Sequence, residues 1–327
     1  MPALDWDSRV GRRLRLRDLH ILFAVVEHGT MSAAGAQLNM SQSAVSQAIA
    51  ALEDTLKVRL LDRTPHGVKP TLYADAIMRR GNIIFDELRS GIKDIEFLAD
   101  PDGGEVRIAC ADTMAGVILA PVIATFSKKY PKVLFEVLQS NAFGRDFVEL
   151  RTRKADLALA ILPQAMEDDP PEDLNIERLF DERWCVATNP RSKWTRRRNL
   201  RFADLADASW ITPFSGSMSE KALFEAFRAE GLPPPRISVK TVSGHLRVFL
   251  SSHGPFVALV PTSFLKISAA TAGLKMLPLQ LPIPTRPVVI ITLRNRTLSR
   301  TVELFLDCMR DVAKTIDRSR PRAFRSR

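Results

Sequence analysis

Between Ser41 and Glu53 the chain reads SQSAVSQAIAALE. On a helix, Val45, Ile49, Leu52 and Leu56 fall on one face, the spacing of a buried stripe. Gln42, Ser43, Ser46 and Gln47 fall on the opposite face, without a charge among them. A solvated face ordinarily carries Lys and Glu. Amides and hydroxyls instead make directional hydrogen bonds. Gln pairs bidentately with an adenine edge, and Ser donates to or accepts from bases and phosphates. The free amides of a helix N-terminus, here at Ser41, add a site for phosphate. A small bundle whose polar face merely meets water fits the same spacing, so spacing alone leaves both readings open.

A second set of hydroxyl and glycine residues follows candidate strands. Thr113 and Met114 come after 105–110, and Asn141 after 133–138. Pro213, Ser215, Gly216 and Ser217 follow 209–212, and Ser243, Gly244 and His245 follow 236–242. In open α/β sheets, ligands sit beyond the carboxyl ends of strands, beside helix N-termini. These groups suit a carboxylate, a phosphate or a sugar hydroxyl. Each Ser or Thr also fits a simpler role as an N-cap. His245 adds a pH-sensitive contact, or is a plain surface histidine.

Three helices must position the first set. Residues 16–28 carry Leu19, Leu22, Phe23 and Val26 in helical register and stop at Gly29; 32–38 starts at Ser32 as N-cap and is rich in Ala and Gly. Asn39 tolerates the left-handed turn that leads to Ser41, the cap of the third helix. Two short helices, a tight turn and small packing residues form a helix-turn-helix, whose second helix enters the DNA major groove. The segment VRLLDRTPHGVKPT (58–71) then alternates, turns at Pro65, His66 and Gly67, and alternates again, as the wing of a winged helix does. Arg63, His66, Lys69 and Thr71 would flank the minor groove or meet phosphates.

The stretch from Leu16 to Thr71 resembles the DNA-binding domain of LysR-type transcriptional regulators. It carries A-A-x-x-x-L-x-x-S-Q-x-A-V-S-x-x-I-x-x-L-E, followed by V-R-L-x-x-R and V-x-x-T. It departs from that pattern at Ser43, where Pro is frequent, at Gln47, where Arg is common, and at YADA (73–76) in place of E-A-G. The first two bear on which DNA sequence is preferred. Further on, RIACADTMAGVILAPVIATFSKKYPKVLFEVLQSN is similar to the opening of the family's effector-binding domain, and HGPFVALVP to one of its strand entries. The resemblance implies an α/β effector domain of two lobes, similar to periplasmic solute-binding proteins, with a small molecule between the lobes. It also implies promoter DNA, further copies of the chain as a dimer of dimers, and RNA polymerase as partners. The small-molecule effector stays unidentified, and no cofactor or metal is called for.

The expected organisation is a winged helix-turn-helix (14–72), a linker and dimerisation helix (73–98), an effector domain (104–318) and a basic tail (319–327). Ile77, Ile84, Leu88, Ile92 and Ile95 give the linker an apolar seam that a lone helix cannot bury, which calls for a second copy. After ADPDGG (99–104), strands are expected at 105–110, 133–138, 156–162, 184–188, 209–212, 236–242, 256–261, 274–279 and 288–293, and helices at 117–129, 143–153, 219–231, 244–253 and 298–316. Such alternation implies parallel sheets with helices on both faces. Nine strands suggest two lobes, 105–178 with 287–316 and 180–285, crossed at 179–183 and 280–287.

Bulk properties narrow the classes further. The net charge is +10 over 327 residues, but residues 1–98 hold 13 Lys/Arg against 12 Asp/Glu. The excess gathers in RSKWTRRRNLR (191–201) and RSRPRAFRSR (318–327), so total charge does not itself point to DNA. No apolar run approaches the roughly 18 residues of a membrane span. The start has no apolar signal region, from which a cytoplasmic protein is expected. Cys110, Cys185 and Cys308 stand singly and form no metal motif. No phosphate loop, dinucleotide motif, nucleophile elbow or H-E-x-x-H is present, and the five histidines do not cluster, so no enzyme is expected.

Overall fold

A computed structural model describes residues 10–64, 67–140, 146–265, 273–279 and 281–318, with the side chains of Arg63, Thr113, Met218, Asp317 and Arg318 left aside. The chain divides into two compact units, up to Arg89 and from Ser90 onward.

In the first unit, α1 (Leu16–His28) ends at Gly29, whose φ of 74° lets its amide close on the Val25 carbonyl. Helix α2 (Met31–Leu38) is capped by Thr30, whose side chain accepts from the Ala33 amide. Ser32 therefore lies exposed at the second position of the helix and is not its cap. Thr30 has the extended backbone that a cap requires, one residue before the helical φ/ψ begin. Asn39 is left-handed, as expected, and Ser41 caps α3 (Gln42–Leu56) through the Ala44 amide. Leu19, Leu22, Val25, Val45, Ile49 and Leu52 close the core. Strands β1 (Leu61–Thr64) and β2 (Gly67–Pro70) pair antiparallel as the wing.

Helix α4 (Leu72–Ala99) runs across the boundary between the units. Its Ile77 and Phe85 pack on the first unit's core. Ile84, Leu88, Ile92 and Ile95 are 41–68% exposed, so the seam is unburied within one chain.

The second unit holds two five-stranded sheets. The first contains β3 (Gly103–Cys110), β4 (Lys132–Gln139), β5 (Leu157–Ile161), β6 (Leu174–Glu182) and β12 (Arg286–Leu293), in the order β4-β3-β5-β12-β6. The second contains β7 (Trp184–Thr188), β8 (Ser209–Thr212), β9 (Ile237–Lys240), β10 (Phe256–Pro261) and β11 (Lys275–Met276), in the order β11-β7-β10-β8-β9. Helices α5 (Ala120–Phe126), α6 (Met218–Ala229), α7 (Gly244–His253) and α8 (Arg300–Arg318) complete the layers.

Two expectations are corrected. The sheets are mixed rather than parallel: β12 runs antiparallel to β5 and β6, and β7 antiparallel to β10 and β11. The strands that carry the chain out of the first sheet and back into it are β6 and β12, and an outgoing and a returning strand placed side by side must run in opposite directions. Strand β6 itself has no counterpart among the expected strands. It is an edge strand, so Asn175, Glu177 and Arg178 along it face no sheet neighbour on one side. The expected helix at 143–153 reduces to Val148–Arg151, its first residues lying outside those described.

Candidate functional site

The first site is the outer face of α3. Gln42, Ser43 and Gln47 are exposed, Ser46 partly so, and Ser41 and Ser43 share a hydroxyl contact of 2.9 Å. Two close approaches fix this face. A Cβ on Gly35 would stand 2.6 Å from the Met40 carbonyl, so the tight turn before α3 rests directly on α2. At the other end Glu53 reaches across to the wing, its carboxylate accepting from the amides of Leu60 (2.6 Å) and Leu61 (3.2 Å). Lys69 on the wing is exposed. Thr71 is committed to the main chain: its hydroxyl donates to the Arg59 carbonyl at 2.8 Å and accepts from the Ala74 amide at the start of α4. His66 lies outside the described residues, and the Arg63 side chain is not described.

Glu53 closes the motif SQSAVSQAIAALE without a role that the motif itself reveals; a carboxylate seven residues before the amides it caps leaves no local pattern. Replacing Glu53 by Ala should destabilise the first unit by about 1–3 kcal/mol, the range for buried donors left without a partner. Hydrogen exchange at Leu60 and Leu61 checks this, and unchanged protection there would reject the role.

The second site lies where the two lobes of the second unit meet. Strand β3 ends at Cys110, and the next residues turn helical as Asp112–Met114, a π-helical turn Ala115–Leu119, and then α5. Single π-helical turns recur at functional sites. Met114 is fully buried in the core, so its side chain is unavailable at the surface where a ligand contact was expected. The Thr113 side chain and Asn141 lie outside what is described.

The loop after β8 is internally satisfied. Ser217 caps α6 by accepting from the Glu220 amide at 3.2 Å. The Glu220 carboxylate accepts from the Gly216 amide at 2.7 Å and from Thr212 Oγ1 at 3.4 Å, and Lys240 Nζ stands 3.0 Å away. Lys240 also donates to exposed Ser215 at 2.6 Å. Burial favours the neutral acid at Glu220, but the Gly216 amide and Lys240 outweigh it, holding this carboxyl below its ordinary range. Pro213 is buried.

The loop after β9 meets the first lobe. Ser243 caps α7 through the Leu246 amide. The Gly244 amide donates to Asp112 Oδ2 at 3.1 Å, and His245 Nδ1 lies 3.3 Å from both Asp112 oxygens. One turn on, Arg247 is 3% exposed; its guanidinium donates to the carbonyls of Leu259 (3.0 Å) and Thr241 (3.2 Å), while Nε has no partner among the described residues. Burial lowers its pKa to about 10, opposed by the negative charge of Asp112. Asp112, Glu220, Lys240 and Arg247 do not stand out in the sequence, because a charge gives no sequence signal of being buried or bridged across lobes.

Cys110 and Cys185 are buried free thiols, and burial pushes Cys110 up to about 11. A groove of about 590 Å³ lined by Phe126, Tyr130, Asp307 and Cys308 lies between α5 and α8 of the first lobe, away from these loops. No helix among the described residues is long and apolar enough to cross a membrane.

A winged helix-turn-helix, a long helix with an unburied seam, and a two-sheet α/β domain with facing helix N-termini define a DNA-binding protein that carries a small-molecule domain. Residues 16–75 match the model of the bacterial regulatory helix-turn-helix protein, lysR family, and residues 99–314 match the LysR substrate binding domain. The chain belongs to the LysR family of DNA-binding transcriptional regulators. It is 27% identical over 306 residues to the HTH-type transcriptional regulator GbpR of Azospirillum brasilense, covering 93% of this chain and 88% of that one. It is 25% identical to the uncharacterized HTH-type regulator YfeR of Shigella flexneri, covering 90% and 93%. Its fold is shared with a single-site variant of full-length OxyR from Pseudomonas aeruginosa (TM-score 0.63, 18% identity, 94% and 98% covered) and with CbnR, a LysR family regulator (TM-score 0.58, 19% identity, 92% and 99% covered).

Proposed function

We propose that the protein acts in the cytoplasm as a one-component regulator without catalytic work of its own. It binds promoter DNA as a dimer or a dimer of dimers, senses a small molecule between its lobes, and alters transcription together with RNA polymerase. The observation that supports DNA reading most directly is the uncharged polar face of α3, with Gln42 and Gln47 exposed, braced by the turn at Gly35 and by Glu53. The exposed seam Ile84, Leu88, Ile92 and Ile95 supports pairing with a second copy. Two copies related by a two-fold axis read an interrupted inverted repeat. Ser41, Gln42, Ser43, Ser46 and Gln47 supply base and phosphate contacts, with Ser32, Arg63, His66 and Lys69 at the flanks.

Fluorescence anisotropy on the DNA upstream of the protein's own gene, beside a scrambled duplex and across a salt series, tests this reading. Tight, salt-dependent binding with preference for the native duplex is expected. Gln42→Ala should cut the preference by roughly 1–3 kcal/mol, the worth of a bidentate base contact. An equal loss on both duplexes would mean that Gln42 reads no base.

A further inference from the structure

The contact between Asp112 and α7 joins the two lobes through one carboxylate. Asp112 belongs to the turn after β3 in the first lobe; Gly244, His245 and Arg247 belong to the second. Three observations converge on it. The amide of the first residue of α7 donates to Asp112, at the position where a helix N-terminus holds an anion. The Arg247 guanidinium one turn deeper is 3% exposed, contacts only carbonyl oxygens among its described partners, and leaves Nε without one. The Asp112 side chain is 29% exposed, so it stays within reach of solvent and of a competing solute. A buried cation without a counter-charge is strongly destabilising. Asp112 adds a favourable negative charge near it from the other lobe, while its own contacts are to the Gly244 amide and the His245 ring.

We infer that Asp112 is a built-in occupant of the anion position on α7, latching the lobes together until the anionic group of an effector displaces it. This rests on the reading of the lobe junction as the effector site, and it names the effector's class. A neutral or cationic molecule that pulled Asp112 away would leave the Gly244 amide at the start of α7 without the carboxylate it donates to, whereas a carboxylate restores both that hydrogen bond and the negative charge. The loop after β8 does not compete for the role, because Glu220 already fills it and is itself held by Gly216, Thr212 and Lys240.

Removal of an internal competitor raises apparent affinity by the inverse of the fraction that was unlatched. Acetate is the probe, titrated at constant ionic strength against chloride into the full-length protein and read by hydrogen exchange over residues 243–247. In the ligand-free wild type the Gly244 amide should be protected. In Asp112→Ala it should exchange at least tenfold faster, and acetate should restore protection with at least tenfold higher apparent affinity than it shows for the wild type. Asp112→Asn keeps the shape and removes the charge, and answers the question where the alanine variant does not fold: it too should bind acetate at least tenfold more tightly. Equal or weaker acetate binding by the variants overturns the latch, as does a Gly244 amide unprotected in the wild type. The anisotropy preference for native DNA is measured on the same preparations. Its loss with acetate competition intact would strike the regulator reading alone, and the reverse pattern would strike the latch alone.

Discussion

Asp156→Ala should destabilise the second unit by about 3–5 kcal/mol, the usual consequence of removing one partner from a buried ion pair. The Asp156 carboxylate accepts from the Arg107 amide at 2.9 Å and from Arg107 Nη2 at 2.8 Å, and Arg296 Nη2 donates to it at 2.8 Å. The side chains of Asp156, Arg107 and Arg296 are 5%, 17% and 3% exposed. This one acid ties β3 to the segment before β5 and to the chain after β12, so alanine leaves two guanidinium groups facing each other with little water. Urea unfolding at neutral pH measures the change, and a loss below about 1 kcal/mol would show that the cations find other partners. The same site predicts a pH dependence. Burial favours the neutral acid, but the Arg107 hydrogen bonds and the charges of Arg107 and Arg296 outweigh it, so the folded-state pKa lies below the ordinary carboxylate value. A depressed folded pKa means that the unfolded chain binds the proton first. The stabilisation is therefore complete above about pH 4 and is lost as pH falls below it. Wild type should lose stability in that window more steeply than Asp156→Asn, and parallel curves would refute the assignment.

Gly67→Ala should detach the wing. Gly67 has φ of 130°, a region that residues with a Cβ rarely enter, and an added Cβ would stand 2.3 Å from the Gly29 carbonyl oxygen. That oxygen also accepts from the Val68 amide at 2.9 Å, so the wing is pinned to the bend between α1 and α2 at this point. Backbone strain of about 1–3 kcal/mol adds to the lost hydrogen bond of about 1 kcal/mol. The expected result is a loss of about 2–4 kcal/mol in the first unit and at least a tenfold loss of affinity for specific DNA. Hydrogen exchange should show faster exchange in β1 and β2 with β3–β12 unchanged. Unaltered exchange at Val68 together with full DNA affinity would show that the wing tolerates the side chain.

The elements that sequence made legible are those in which local chemistry and global packing agree. Gly29 at φ of 74°, Asn39 at φ of 53° and Ser41 on the Ala44 amide sit where turn and cap chemistry puts them. Helix α3 buries Val45, Ile49 and Leu52 as its period requires. The family motif had the same legibility, because it is built from these local signals. Where two residues compete for one local role, sequence chose the wrong one: Thr30 rather than Ser32 caps α2, since both precede a helical run and only the backbone angles decide. The expectation of parallel sheets failed for a different reason. Alternation of strands and helices implies parallel neighbours; the two crossings between lobes are expected, but the placement of the outgoing β6 beside the returning β12, which makes them antiparallel, has no local signature.

The sequence by itself determined the class of protein: the period of α3, the turn and wing residues around it, the seam of α4, and the alternation that makes an α/β domain. Each depends on residues near one another in the chain, where 3.6 and 2 residue periods and turn propensities act directly. Only the tertiary structure decided which charges matter. Asp112 meets Gly244 from 132 residues away, and Asp156 joins Arg107 and Arg296 across 49 and 140. A carboxylate looks the same in sequence whether water or a guanidinium surrounds it. Its role is set by the burial and the opposite charges that folding brings to it.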